Sequence, residues 1–111
     1  MVKAIQYARF GKPWEAAELV DLPDPGQPGE GEVLIDVEAC AINPADLLQL
    51  EGRYGVEPPP LPAIGGGEGV GIVRQLGPGV SHLKAGDRVL LLFAGRGNWR
   101  KQVKAKAAKL F

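Results

Sequence analysis

Val33-Leu34-Ile35-Asp36-Val37-Glu38-Ala39-Cys40-Ala41 places Val33, Ile35, Val37, Ala39 and Ala41 on one side of an extended chain and Asp36 and Glu38 on the other. A period of two held this long is the signature of a half-buried β-strand. It is the strongest periodic signal in the sequence, and the fold is read outward from it. Glu30-Gly31-Glu32 turns the chain into this strand. Asn43 breaks it, and Pro44 suits the first turn of a helix because no N–H donor is needed there. Asn43 is the N-cap of that helix, which carries Ala45 to Leu50 with Leu47, Leu48 and Leu50 on its apolar side.

Downstream, Gly52 to Pro62 reads as a loop stiffened by Pro58-Pro59-Pro60. Gly65-Gly66-Gly67 opens backbone angles and close approaches that other residues cannot take. A strand is expected over Gly69–Leu76, with Val70 and Ile72 facing one way and Gly71 and Val73 the other. Gly77-Pro78-Gly79 and Leu83-Lys84-Ala85-Gly86-Asp87 are turns, the second leading into a strand over Arg88–Phe93. Ala94-Gly95-Arg96-Gly97 is flexible, Asn98–Val103 is expected as a strand, and Ala105–Phe111 fits helix or strand. Upstream, Met1–Phe10 reads as a first strand ended by Gly11, with Val2 and Ala4 on one side and Lys3, Ile5 and Tyr7 on the other. Glu15–Leu22 fits helix or strand by period; its shortness and the tight Gly-Lys-Pro turn before it favour a strand, closed by Pro23-Asp24-Pro25-Gly26. Many short strands with one helix between them, and no alternation of strand and helix, predict a mainly β fold: a small, partly open barrel.

The 111 residues make one domain, residues 1–111, large enough for one core without staples. Hydrophobic residues are 45% and charged residues 23%, ordinary values for a soluble globular protein. Formal net charge is zero, so the chain has no global pull toward nucleic acid or membrane. The charge is uneven: no acidic residue comes after Asp87, while Arg88, Arg96, Arg100, Lys101, Lys104, Lys106 and Lys109 do. A solvated strand face is the plainer reading; a phosphate-bearing ligand is the sharper one. The single cysteine, Cys40, excludes an internal disulfide and reads as a buried, inert thiol. No apolar run is long enough to span a bilayer and no signal pattern opens the chain, so a cytoplasmic location is the default.

One Cys, one His and no paired carboxylates cannot build a structural zinc site, and His82 reads as a solvated turn residue. The 65–71 glycine cluster fits the dinucleotide fingerprint in no register, and Gly95-x-Gly97 is followed by Arg100 where a third glycine would stand. Ser81 has no nucleophile-elbow setting. Tyr54, in Gly52-Arg53-Tyr54-Gly55, remains: its hydroxyl, with a pKa of about 10, is neutral at pH 7 and can donate a proton to a developing enolate. The plainer reading is a ring lying on an apolar neighbour with its hydroxyl in water.

Five ordered segments, MVKAIQY at the start, Gly29–Ile35, Ala41-Ile42-Asn43-Pro44-Ala45-Asp46, Gly67-Glu68-Gly69-Val70-Gly71 and Leu83–Val89, carry a resemblance over nearly the whole chain. On them it resembles the N-terminal, GroES-like half of the medium-chain dehydrogenase/reductase superfamily. Zinc alcohol dehydrogenases place a metal-binding Cys where this chain has Asn43 and a His where it has Gly67, so the resemblance implies the zinc-free branch, with no metal. Gln49–Gly55 with its proline-rich loop, and Ala94-Gly95-Arg96-Gly97-Asn98-Trp99-Arg100, are similar to mitochondrial-type 2-enoyl thioester reductases. That resemblance implies NADPH as cofactor of a full-length protein and reduction of the C=C bond of an enoyl thioester. It implies Tyr54 as proton donor, Asn43 beside the nicotinamide, and Trp99 and Arg100 in the substrate-pocket wall; Trp99 as core alone stays open. The family's Rossmann domain has no counterpart here, so the chain is expected to be a fragment that binds no NADPH alone, with that domain as its missing partner. The alternatives are a quinone oxidoreductase (zeta-crystallin-like) domain, or a non-catalytic binding or assembly module that forms a homodimer through an exposed apolar face.

Overall fold

The computed structural model describes residues 1–53, 59–92 and 97–110. The chain order is β1 (Val2–Tyr7), α1 (Pro13–Ala16), β2 (Ala17–Leu22), β3 (Glu32–Cys40), α2 (Pro44–Leu50), β4 (Ala63–Ile64), β5 (Gly69–Leu76), β6 (Arg88–Leu90) and β7 (Gln102–Lys106). A 3-10 turn over Ala107–Lys109 comes after β7. The strands form two antiparallel sheets, ordered β2-β1-β4 and β6-β5-β3-β7.

β3 is the spine because both of its edges are paired. Val33 faces Leu76 of β5 and Ala105 of β7, and Ile35 faces Val73 and Val103. Val33 and Ile35 are wholly buried, and around them gather Val73, Val89, Leu91, Val103, Ala105 and Ala107. Burying each branched aliphatic chain contributes roughly 1.5–3 kcal/mol, so this cluster anchors the larger sheet. The period-2 expectation holds at Val33, Ile35 and Val37, which packs against the same cluster, and fails at Ala39. Register shifts between Leu34 and Ile35 and between Val37 and Ala39 bury Leu34 and leave Ala39 exposed. Such bulges bend the strand and re-aim the residues beyond them. Here they carry Cys40 across to Gly69.

A second cluster, Tyr7, Ala16, Leu50 and Ala63, fills the space under the smaller sheet, with Phe10 and Trp99 against it. Tyr7 is buried beside Val2 and Ala4, out of phase with the expected alternation. The end of β1 is covered on both sides, by β2 and β4, and the Tyr7 ring tilts against Phe10 at 6.3 Å.

Three expectations need correction. Pro13 starts a four-residue helix before β2, because a proline at N1 needs no hydrogen-bond partner for its nitrogen. β6 ends at Leu90, short of its expected limit. Residues 98–101 are not the start of a strand; Arg100 makes an isolated bridge to Ala4, and β7 begins at Gln102. The two-residue β4 carries no periodic signal of its own. The sheets are joined at 98–101: Ile5 N–H donates to the Trp99 carbonyl at 2.8 Å, Lys101 N–H to Lys3 at 3.0 Å, and Val37 N–H to Lys101 at 2.8 Å. This seam closes two sheets into a partly open barrel. Lys104 and Lys106 lie exposed on β7 while Val103 and Ala105 turn inward, and Arg88 pairs with Glu38 at 2.9 Å. Of the basic C-terminal run, Lys104 and Lys106 therefore form a solvated strand face, whereas Arg100 is half-buried. Asp36 accepts from Gln102 and Arg74, and these bonds hold its carboxyl below the usual carboxylate range.

Gly71 sets how closely β5 approaches the bulged part of β3. A Cβ there would stand 2.5 Å from Ile35 Cγ2 and 2.6 Å from the Asp36 carbonyl oxygen. Gly71→Ala is expected to destabilise the chain by about 1–3 kcal/mol, read as a lower urea midpoint at unchanged slope.

Candidate functional site

The candidate site is built around α2. Its C-terminal end is closed by a Schellman arrangement. Arg53 N–H donates to the Leu48 carbonyl at 2.8 Å and Gly52 N–H to Gln49 at 3.0 Å, with Gly52 at φ +75°. Only a glycine takes that conformation without steric cost. The pair fixes the direction in which the chain leaves the helix. Tyr54, the expected proton donor, is the next residue and lies outside the described residues.

At the other end Asn43 occupies the N-cap position, as expected. The Asp46 carboxylate, at the third helical position, takes up its backbone: Asn43 N–H donates to Asp46 Oδ2 at 2.8 Å. The second oxygen reaches across the fold, accepting from Gly67 N–H at 3.0 Å. Asp46 is only 6% exposed, so both bonds are made in a protected setting. One carboxylate thus brings Asn43 and Gly67, distant in sequence, onto facing segments.

The glycine cluster has a separate reason for each member. The Trp99 indole lies against Gly65 and Gly66, where a Cβ would come within 2.4 Å and 2.5 Å of the ring. Trp99 N–H donates to Gly65 O at 3.0 Å, and its indole Nε1–H donates to the Ala41 carbonyl at 3.1 Å. Gly67 faces Asp46, whose Oδ1 would be 3.3 Å from an added Cβ. Beside this corner the Cys40 thiol donates to the Asn98 carbonyl at 2.8 Å. Burial, and then the Asp46 charge, push its pKa up, so it stays protonated and unreactive. Asn98 is buried and donates through Nδ2 to the Leu91 carbonyl at 3.2 Å.

An apolar cavity of about 580 Å³ opens against the seam, walled by Ile5, Leu19, Ile42, Leu47, Leu50 and Trp99. Arg100 stands at its edge, half-buried, with Nε lacking a hydrogen-bond partner and with burial lowering its pKa. Among the described residues, the expected site residues therefore fall into two places. Trp99 and Arg100 line the cavity, whose lining does not include Asn43, and Asn43 stands opposite Gly67. Trp99 is both wall and core. His82 is not free, since its Nε2 lies 3.2 Å from the Ala107 carbonyl oxygen. Among the described residues no group of three or more His, Cys, Asp or Glu side chains could hold a metal ion.

Sequence reasoning misses Asp46 and Asn98 as site residues. Asp46 carries a readable signal, an acid three residues after an N-cap. Asn98 carries none, because its partners Cys40, Gly66 and Leu91 are brought to it only by the fold.

Residues 29–110 match the alcohol dehydrogenase GroES-like domain. A mitochondrial enoyl-[acyl-carrier-protein] reductase of Caenorhabditis elegans is 41% identical over 98 residues, covering 88% of this chain and 28% of that protein. The synaptic vesicle membrane protein VAT-1 homolog of Rattus norvegicus is 45% identical over 87 residues, covering 78% of this chain and 21% of the relative. The crystal structure of Escherichia coli quinone oxidoreductase complexed with NADPH superposes with a TM-score of 0.87 at 34% identity, over 98% of this chain and 32% of that one. The chain thus spans about a quarter of the length of these curated relatives.

Gly66→Ala, in a Trp14→Phe background, is expected to push the Trp99 indole out of its seat. Its emission should shift to the red and become easier to quench, at a stability cost of about 1–3 kcal/mol. Trp14 is 77% exposed and would mask the change if left in place.

Proposed function

The chain belongs to the alcohol dehydrogenase GroES-like domain family, and from that premise we propose that it is the substrate-side domain of a zinc-free, NADPH-dependent reductase of 2-enoyl thioesters. The observation that carries this reading is the similarity to a mitochondrial enoyl-[acyl-carrier-protein] reductase across most of the chain. The geometry agrees with it. Asn43 and Gly67 offer neither thiolate nor imidazole where a zinc enzyme needs them. They fit one flank of a nicotinamide ring, since Gly67 presents no side chain and Asn43 is fixed opposite it through Asp46. The remainder of the cofactor would be held by the nucleotide-binding part of the full-length protein.

When bound, NADPH would supply the hydride for the enoyl β-carbon, becoming NADP⁺. Tyr54 supplies the proton for the α-carbon, directly or through the thioester oxygen, and its tyrosinate recovers a proton from solvent. The C=C bond becomes a C–C single bond with one new C–H bond at each carbon, and the thioester is otherwise unchanged. Asn43 orients the ring, and the Trp99–Arg100 wall bounds the acyl side.

Quinone reduction is the second reading, supported by the superposition on the E. coli quinone oxidoreductase. It needs no proton donor placed at an enolate, and this difference separates the two. In the full-length reductase Tyr54→Phe should lower kcat on a crotonyl thioester by about 10²- to 10⁴-fold with KM little changed; unchanged turnover would remove the assigned role. NADPH titrated into the 111-residue chain alone should give no binding heat at micromolar concentration, and a micromolar isotherm would overturn the division of labour between the two parts.

A further inference from the structure

We propose that Asp46 is a positioning residue: its carboxylate sets the distance between the Asn43 corner and the Gly67 arm, beyond its duty as the cap of α2. The two oxygens are divided between two segments, Oδ2 taking Asn43 N–H at 2.8 Å and Oδ1 taking Gly67 N–H at 3.0 Å. A helix cap requires only the first. The second joins residues 21 positions apart. Hydrogen bonds from N–H groups to a charged acceptor are roughly twice as strong as neutral ones, and Asp46 is 6% exposed, so water competes little for them.

The shape of the site depends on this division. Gly67 comes close because it has no Cβ, which would stand 3.3 Å from Oδ1. On its far side the same arm is held by the Trp99 indole at Gly65 and Gly66. Backbone bonds hold it too: Gly97 N–H donates to the Gly66 carbonyl at 3.0 Å and Ala41 N–H to the Glu68 carbonyl at 3.4 Å. Asp46 adds the side-chain tie that reaches the Asn43 and Gly67 backbones at once. The requirement is for a two-oxygen acceptor of aspartate length. An amide would turn an N–H toward one of the two donors. A glutamate would still cap the helix, since Glu is the favoured residue at this position of a capping box, but one methylene more would displace the Gly67 arm.

The kinetic part of the proposal rests on the reductase reading, and the test separates the two. Asp46→Asn and Asp46→Glu are compared with the parent by amide proton shifts and hydrogen exchange of the 111-residue chain, and by kinetics in the full-length reductase. Asp46→Asn should move the Gly67 and Asn43 amide protons upfield and speed their exchange. Asp46→Glu should keep the Asn43 amide and the melting temperature near the parent, yet shift the Gly67 amide and lower kcat about 10- to 100-fold with KM changed less than kcat. A helix-capping role alone predicts that Asp46→Glu matches the parent in every reading, and that result overturns the proposal. An Asp46→Asn variant with an unmoved Gly67 amide overturns it as well. A parent protein that reduces no enoyl thioester would sink the reductase reading, and the Gly67 amide would still decide whether the carboxylate sets this spacing.

Discussion

Trp99 holds three segments with one residue. Its indole N–H donates to the carbonyl of Ala41, its backbone N–H to Gly65, and its backbone carbonyl accepts from Ile5. Those partners lie just past β3, just past β4 and within β1, so both sheets meet at this side chain. A buried indole N–H requires an acceptor, and the Ala41 carbonyl, freed where β3 stops pairing, supplies one. The contact is apolar on one side and hydrogen-bonded on the other, which fixes the ring's orientation as well as its depth.

This constraint explains why three glycines stand together. Glycine in an ordered segment costs conformational entropy on folding, so a run of them needs a structural return. Two of them let the indole approach within a distance no Cβ tolerates, and the third lets the Asp46 carboxylate reach a backbone N–H. A phosphate cradle also uses glycines, but it points N–H groups outward at a ligand. Here the Gly67 N–H points inward at a carboxylate. The cluster belongs to the scaffold of the corner and shapes the site indirectly.

The elements governed by local chemistry are legible in the sequence. α2 is readable from Asn43-Pro44 and the leucine side, and β5 from its alternation between glycine turns. Features that depend on distant partners are not. Residues 98–101 have strand-like composition, yet Asn98 and Trp99 turn their side chains to Leu91 and Ala41, and ladder pairing waits until Gln102. The alternation in β3 fails where bulges re-aim the strand, because register depends on β5 and β7 and not on β3 alone. Asn43 is legible as a cap, whereas Asp46 escapes notice. Its second partner, Gly67, is visible only once the chain has folded.

In the corner formed by Asn43, Asp46 and Gly67, one carboxylate bonds two separate stretches of backbone. A tetrahedral zinc would tie segments together through bonds to side chains. Here a buried carboxylate performs the tying through backbone N–H groups, which nearly every residue carries, so neither position 43 nor position 67 has to supply a metal-ligating side chain. Those positions can hold a neutral amide and no side chain at all, and such a corner presents little charge to a ligand. The Schellman closure of α2 sends the chain directly from the clamped helix into the segment that bears Tyr54. Asp46 at the first turn and the Gly52 turn at the last therefore hold the two ends of the seven-residue helix.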